Sequence, residues 1–254
     1  MKKKILIGIA TGVIAAAMCA GFAACGGANA KSVKGEKVTE EQWQKALVAL
    51  WDEKAEFTVE TYSKETEKAT IESMVHNTKY SVTTTESFTY TKKGALESKL
   101  GSSKTSYGGD KEYAESKNGK ALEKEVELYY QSTADTNYLY EKGLDGEWSK
   151  KSTYSSLISS VEGFSQLTSL GGSYSSFVYS PDHNGYVPKS YQKGEDDVTV
   201  IKFRDGKLVA VYIYEKEIDI QDAGVLYGKS VKTSETHITF TYSAKDITLP
   251  TVAA

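Results

Sequence analysis

Apolar and polar residues alternate along the chain from residue 55 onward, which is the two-residue period of a β-strand. In KYSVTTTESFTYT the apolar residues share one face: Tyr80, Val82, Phe88 and Tyr90. Other sets that share a face by the same period are Phe57 and Val59; Val126, Leu128 and Tyr130; Tyr138 and Tyr140; Ile238, Phe240 and Tyr242. Few of these strands are separated by crossover helices, so the pattern predicts an antiparallel meander.

A first helix is predicted over residues 39–52, in TEEQWQKALVALW. Thr39 and Gln42 have the spacing of a capping box. The apolar residues then follow helical spacing: Trp43, Ala46, Leu47, Leu50 and Trp51. Two tryptophans on one stripe fit a partner-binding face or a packed core, and packing is the favoured interpretation.

Helical spacing returns over residues 153–170, before Gly171 and Gly172, in a stripe of Tyr154, Leu157, Ile158, Val161 and Phe164. Asp205-Gly206 then lies between alternating runs and predicts a tight hairpin. Because a sheet with one apolar face must cover that face, the two helices are its available covers. The predicted class is α+β, mainly β: a curved antiparallel sheet or half-open β-barrel with two helices covering the concave face.

The first residues have the pattern of a secretory signal. Met1 is followed by three lysines, an apolar run over residues 5–20 and small residues before Cys25. A transmembrane segment is the alternative, since about 20 apolar residues just span a bilayer. The cleaved signal is favoured because many residues of the run are Ala or Gly and no strong charge cluster follows immediately.

Phe22-Ala23-Ala24-Cys25 resembles the lipobox of bacterial lipoproteins, although Phe22 stands where that family usually has Leu, Val or Ile. The resemblance implies cleavage after Ala24 and attachment of lipid to Cys25, with palmitate as a typical acyl group. The alternative is an ordinary secretory cut that leaves a free thiol. The predicted organisation is a signal peptide over 1–24, a lipidated Cys25 with a flexible linker over 25–38, and one domain over 39–254.

Composition limits the classes of function. Both cysteines, Cys19 and Cys25, lie in the first 25 residues, so the domain has no disulfide. The net charge is −3, it becomes −6 when Lys2, Lys3 and Lys4 leave with the signal, and Arg204 is the one arginine. This balance argues against nucleic-acid binding and against electrostatic attachment to anionic lipid.

Candidate chemistry is weak throughout. His76, His183 and His237 lack ligand spacing, so no metal site is expected. Asp182 and Asn184-Gly185 fit a β-turn better than a calcium loop. Ser190 and Lys193 match Ser-x-x-Lys without its companion motifs. We therefore expect no enzyme, no catalytic residue and no cofactor.

The order of these elements resembles the LolA-like and mycobacterial LppX-like lipoprotein carriers, with local likeness in IKFRDGKLVAV and ITFTYSAKDITLP. The resemblance implies an apolar cavity between sheet and helices that holds acyl chains. The candidate lining residues are Trp43, Leu47, Trp51, Tyr80, Phe88, Tyr90, Tyr138, Tyr140, Leu157, Val161, Ile201 and Phe203.

The expected function is that of a monomeric lipoprotein on the extracytoplasmic face of the bacterial cell membrane, which binds or carries a lipid or other hydrophobic molecule. The alternative is a cell-envelope interaction or structural module without a bound ligand. The same aromatic residues would serve a cavity or a packed core, so the sequence leaves both open.

Overall fold

One antiparallel sheet of eleven strands forms most of the described part of the chain. The computed structural model describes residues 30–73, 77–109, 122–143, 145–161, 174–222 and 226–252. The strands are β1 (Glu56–Ser73), β2 (Asn77–Lys93), β3 (Leu96–Gly109), β4 (Leu122–Ser132), β5 (Asn137–Lys142), β6 (Trp148–Thr153), β7 (Phe177–Ser180), β8 (Gly185–Pro188), β9 (Val198–Arg204), β10 (Lys207–Asp222) and β11 (Leu226–Thr241).

Two meanders meet in the middle of this sheet. The strand order is β6-β5-β4-β3-β2-β1-β11-β10-β9-β8-β7, and all neighbouring strands are antiparallel. The first strand of the sheet therefore pairs with the last, and β6 and β7 are its two edges. The mainly β class and the antiparallel meander are confirmed, in a curved sheet that does not close into a barrel.

The β9–β10 hairpin follows from its turn residues. Asp205 and Gly206 have φ values of 51° and 67°, as a two-residue turn between twisted strands requires. Arg204 pairs with Lys207 directly across it. The sequence prediction of a tight Asp-Gly hairpin is confirmed.

The first predicted helix is present as α1 (Glu40–Val48), followed by a 3₁₀ turn over Ala49–Trp51. Its capping box forms as predicted: the Gln42 N–H donates to Thr39 Oγ1 at 3.2 Å, and the Thr39 N–H donates to Gln42 Oε1 at 2.9 Å. Trp43 and Leu47 face the sheet and are buried. We call the face of the sheet beneath α1 the inner face and the opposite one the outer face.

The second predicted helix is wrong over residues 153–161. Thr153 is the last residue of β6, and Leu157–Ser160 form a single 3₁₀ turn. Val161 then turns to extended backbone, with φ −78° and ψ 118°. Residues 162–170 of that prediction lie outside the described residues. One α-helix, rather than two, therefore covers the inner face in the described part of the chain.

Residues 30–38, predicted as part of a flexible linker, lie against the domain instead. The buried side chain of Lys202 donates from Nζ to the carbonyl oxygens of Lys31 at 2.9 Å and Val33 at 2.8 Å. The Glu36 N–H donates to Phe203 O at 2.7 Å. Burial lowers the pKa of Lys202, and two carbonyl acceptors offset part of the cost of burying its charge.

Four strands extend well beyond α1 and its core. We call this part the distal half of the sheet and define it as residues 64–73 of β1, 77–86 of β2, 214–222 of β10 and 226–235 of β11. Its described side chains are mostly exposed or half-buried on both faces, with Ala69 the buried exception. The described distal half is thus a nearly bare, two-sided sheet attached to a packed body.

Candidate functional site

Most of the predicted cavity residues lie in one packed cluster on the inner face. Its members from that set are Trp43, Leu47, Phe88, Tyr90, Leu157, Val161, Ile201 and Phe203. Trp43 is fully buried, and its ring centroid lies 4.8 Å from that of Phe203 and 5.3 Å from that of Tyr186. Such spacings are those of aromatic rings in contact. These side chains fill the space between α1 and the sheet.

The other four predicted lining residues lie elsewhere. Tyr138 and Tyr140 point to the outer face, because Leu139 is the β5 residue that pairs with Tyr130 of the inner cluster. Tyr80 lies in the distal half, where its hydroxyl donates to Glu67 at 3.4 Å. Trp51 is 45% exposed after the end of α1. The structure therefore brings together eight of the twelve predicted lining residues in one cluster.

A buried carboxylate fixes the chain after β6 to the inner face. Glu97 of β3 is 5% exposed, and its Oε2 accepts the backbone N–H groups of Leu157 at 2.8 Å and Ile158 at 3.3 Å. Lys92 is its cross-strand partner. Burial raises the pKa of Glu97, while the Leu157 N–H and the Lys92 charge oppose that shift. Burial also raises the pKa of the Tyr90 hydroxyl, and Glu97 raises it further.

We expect Glu97→Gln to change how stability depends on pH. The folded-state pKa of Glu97 lies above its ordinary value of 4.5, so between the two values the folded protein holds a proton that the unfolded chain has released. Stability from this group is therefore full below pH 4.5 and is lost as pH rises through the folded pKa. Urea unfolding across this range should show the free energy of unfolding of the variant increasing relative to that of the wild type as pH rises.

The matched control for this prediction is the exposed Glu147→Gln, which should follow the wild-type trend. A Glu97→Gln curve parallel to the wild-type curve at every pH would contradict the assigned role of the buried carboxylate.

A groove of about 610 Å³ lies where β10 continues past β9. The strand side is formed mainly by Glu65, Glu215, Glu217, Lys232 and Ser234. The loop side comes from residues 188–197, chiefly Pro188, Ser190, Tyr191, Glu195 and Asp197. None of the twelve predicted cavity residues lines it. This groove is the candidate functional site.

Two aspartates fix the loop against the open edge of β10. Val198 makes the last pair with Tyr214, so the next residues of β10 have no β9 partner. Asp197 Oδ1 instead accepts the Lys216 N–H at 2.7 Å, and Asp196 accepts the Lys216 ammonium at 2.6 Å. Covering an exposed strand edge in this way limits pairing with other chains.

The groove carries more negative than positive charge. Five of its residues are acidic, namely Glu65, Glu195, Asp197, Glu215 and Glu217, against Lys216 and Lys232. Lys232 Nζ lies 3.0 Å from Glu65 Oε2, and the hydrogen bond and charge of Glu65 raise the pKa of Lys232. Sequence reasoning missed this set because its members alternate with lysine and serine along separate strands. Their shared i, i+2 spacing was the available signal.

The Ser-x-x-Lys match and the turn at Asp182 and Asn184 do not form a catalytic or metal-binding arrangement among the described residues. Ser190 lies in the groove loop, and the Lys193 ammonium pairs with Asp182 at 2.8 Å. Asn184 closes the predicted turn, donating its N–H to Pro181 O at 3.2 Å. Within the described ranges, no group of three or more His, Cys, Asp or Glu side chains has the arrangement of a metal site. His76 and Cys25 lie outside those ranges.

No helix among the described residues combines the length and the apolar character needed to cross a bilayer.

Comparison with known proteins identifies no family. No protein-family model matches the chain, and no curated protein matches it. Among solved structures, a DUF1329 family protein from Desulfovibrio piger is 10% identical over 83% of this chain and 94% of its own, with a TM-score of 0.24. The translocator domain of the autotransporter NalP from Neisseria meningitidis is 9% identical over 78% and 94%, with a TM-score of 0.18. Likenesses this distant support no further statement about fold or function.

Proposed function

We propose that this chain is a lipid-anchored binding protein on the extracytoplasmic face of the bacterial cell membrane, and that it acts as an interaction module through its groove. The observation that carries the proposal is the contrast between the filled inner core and the open groove beside it. A core packed around Trp43 offers an apolar ligand little space, whereas the groove is open to solvent and lined by several elements. Binding sites are commonly concave and collect a few convergent polar groups.

The lining of the groove favours a ligand or partner with positive charge. Glu215 and Glu217 both point to the inner face of β10, and Glu65 lies across from them on the far side of β11. Tyr191 and Tyr214 also line the groove, and both pack against the outer cluster that contains Val200 and Tyr212. A lysine- or arginine-rich segment of another envelope protein matches the charge of the groove.

Isothermal titration calorimetry with an oligolysine peptide tests this proposal. We expect the full-length wild type to bind the peptide, more weakly as salt is added. Glu215→Gln combined with Glu217→Gln should weaken binding by about tenfold, which corresponds to roughly 1.4 kcal/mol. The effect arises because two carboxylates that face the groove lose their charge.

The matched control is Glu123→Gln combined with Glu125→Gln, two exposed glutamates of β4 outside the groove. This pair removes the same net charge and should leave binding near the wild-type value. Equal weakening in both double variants would show that overall charge, rather than the groove, attracts the peptide.

A lipid carrier is the second candidate, in keeping with the resemblance to LolA-like and LppX-like proteins. It is favoured by two buried polar atoms, Trp43 Nε1 in α1 and Thr61 Oγ1 on the inner face of β1, which have no hydrogen-bond partner. Unsatisfied buried groups of this kind are costly, and a bound ligand could supply a partner after α1 moves. Native mass spectrometry separates the candidates, because a carrier retains a lipid in addition to its own anchor.

A further inference from the structure

Exposed apolar side chains gather on the outer face of the distal half. Ile218 and Ile220 of β10 are 52% and 57% exposed, and Tyr227 of β11 is 38% exposed. Val231 pairs directly with Ile218 and shares its face. Single exposed apolar residues are common on protein surfaces, but a contiguous group on one face indicates a contact surface.

Charge in the distal half is divided between the two faces. By the strand period, the outer face carries Lys64, Lys68, Lys79, Lys216 and Lys229 with Glu72, Asp222 and Glu235, and the Lys216 ammonium is paired with Asp196. The inner face carries Glu65, Glu67, Glu86, Glu215, Glu217 and Asp219 with Lys232. The apolar group therefore lies among lysines, and the carboxylates lie mainly on the opposite side of the same strands. Such a surface complements an anionic one.

The chain enters the domain on this same outer face. Ala30 is fully buried in the small outer cluster that contains Val200, Ala210 and Tyr212. Cys25 precedes Ala30 by five residues, which span at most about 17 Å. Tyr212 and Ile218 lie on the same strand and face, about 20 Å apart by the rise per residue of a strand. A lipid on Cys25 would hold the bilayer close to the outer face.

We propose that the outer face of the distal half docks on anionic phospholipid as a second membrane contact. Ile218, Ile220 and Tyr227 enter the interfacial region, and Lys68 and Lys229 lie among the headgroups. The inner-face carboxylates of the groove, Glu65, Glu215 and Glu217, then face away from the bilayer, toward extracytoplasmic partners. This orientation rests on the proposed lipid anchor, which places the membrane on that side.

Fluorescence from two positions on opposite faces of β10 tests the docking. Ile220→Cys and Glu217→Cys point to opposite faces, and each is labelled with the environment-sensitive dye NBD in the full-length protein. The labelled proteins are reconstituted into vesicles of phosphatidylcholine, with or without phosphatidylglycerol. With anionic lipid we expect a blue shift at position 220 and loss of its emission on adding doxyl-labelled lipid. Position 217 should show neither change.

Charge-reversal variants provide a second test of the docking on anionic vesicles. Lys68→Glu combined with Lys229→Glu should abolish the response at position 220, while Lys124→Glu combined with Lys189→Glu, both exposed and outside the distal half, should preserve it. Equal responses at positions 217 and 220, or no quenching by doxyl lipid at 220, would overturn the docking. A blue shift that persists without lipid and grows with protein concentration would identify a second copy of the chain as the occupant, and would also overturn it.

The anchor and the docking can fail separately. Wild-type protein treated with the dye reports whether Cys25 is acylated, since an acylated thiol takes no label. Docking is tested without the anchor in a Cys19→Ser and Cys25→Ser background, where position 220 carries the one thiol. Quenching at position 220 on mixing with anionic vesicles would then support docking whether or not Cys25 of the wild type is acylated.

Discussion

Cys25→Ser is expected to release the mature protein from the membrane almost completely. Serine lacks the thiol that would receive the diacylglyceryl group, and two acyl chains are what makes such anchoring stable, at about 0.8 kcal/mol for each buried CH₂. The docking face alone would leave a weak, salt-dependent attachment. Fractionation of cells at high salt, followed by intact-mass analysis, measures both the location and the lipid.

Cys19→Ser is the matched control, because it changes the chain's other cysteine within the same apolar segment. Met18 precedes it where a lipobox needs a small residue, so this variant should stay in the membrane fraction with its lipid. Wild-type protein with the mass of an unmodified cysteine would refute the anchor directly.

Trp43→Ala is expected to destabilise the domain by about 3–5 kcal/mol, the usual cost of removing a fully buried large aromatic side chain. Its ring contacts four others, with centroid distances of 4.8 Å to Phe203, 5.3 Å to Tyr186, 5.5 Å to Phe177 and 5.7 Å to Tyr174. The cavity left by the missing ring would remove the contacts of α1 with β7, β8 and β9 together. A domain of this size should lose roughly 6–20 °C in Tm.

Trp51→Ala removes the same side chain from the same predicted stripe and supplies the control. Trp51 is 45% exposed, so its loss should cost less than about 1 kcal/mol. Denaturant unfolding of both variants gives the comparison. Similar losses would mean that the 3₁₀ turn carries as much of the packing as α1 does.

Local pattern was enough to predict α1 and most of the sheet. The capping box and the apolar stripe around Trp43 act within a few residues, and alternation in β2 depends on that strand alone. A turn such as Asp205-Gly206 likewise determines its own conformation. These features are readable because their causes lie close together in the chain.

Features that depend on contacts between residues far apart in the sequence could not be predicted from local pattern. Tyr138 and Tyr140 do alternate as predicted, but which face they occupy depends on the register of β5 against β4. The 3₁₀ turn after Ser156 depends on Glu97, sixty residues earlier, which satisfies its first N–H groups. The groove depends on where β9 begins relative to β10 and on the aspartates of the loop.

Composition also concealed the division of charge. A mildly negative total predicts no attraction to anionic lipid, yet in the distal half the alternation along β1, β10 and β11 sends most lysines to one face and most carboxylates to the other. Net charge describes the chain as a whole, whereas a membrane meets a single face. Because successive side chains of a strand point to opposite faces, the two-residue spacing of like charges gives the two faces of the distal half different net charges.

The pairing of β1 with β11 places the sheet's central seam between its earliest and latest strands, as in the contact between Glu65 and Ser234. Nucleation at that seam must wait until the ribosome has finished the final strand, and contacts of such long loop length form slowly. A chain built in this order acquires its native centre only after its last strand is available for pairing.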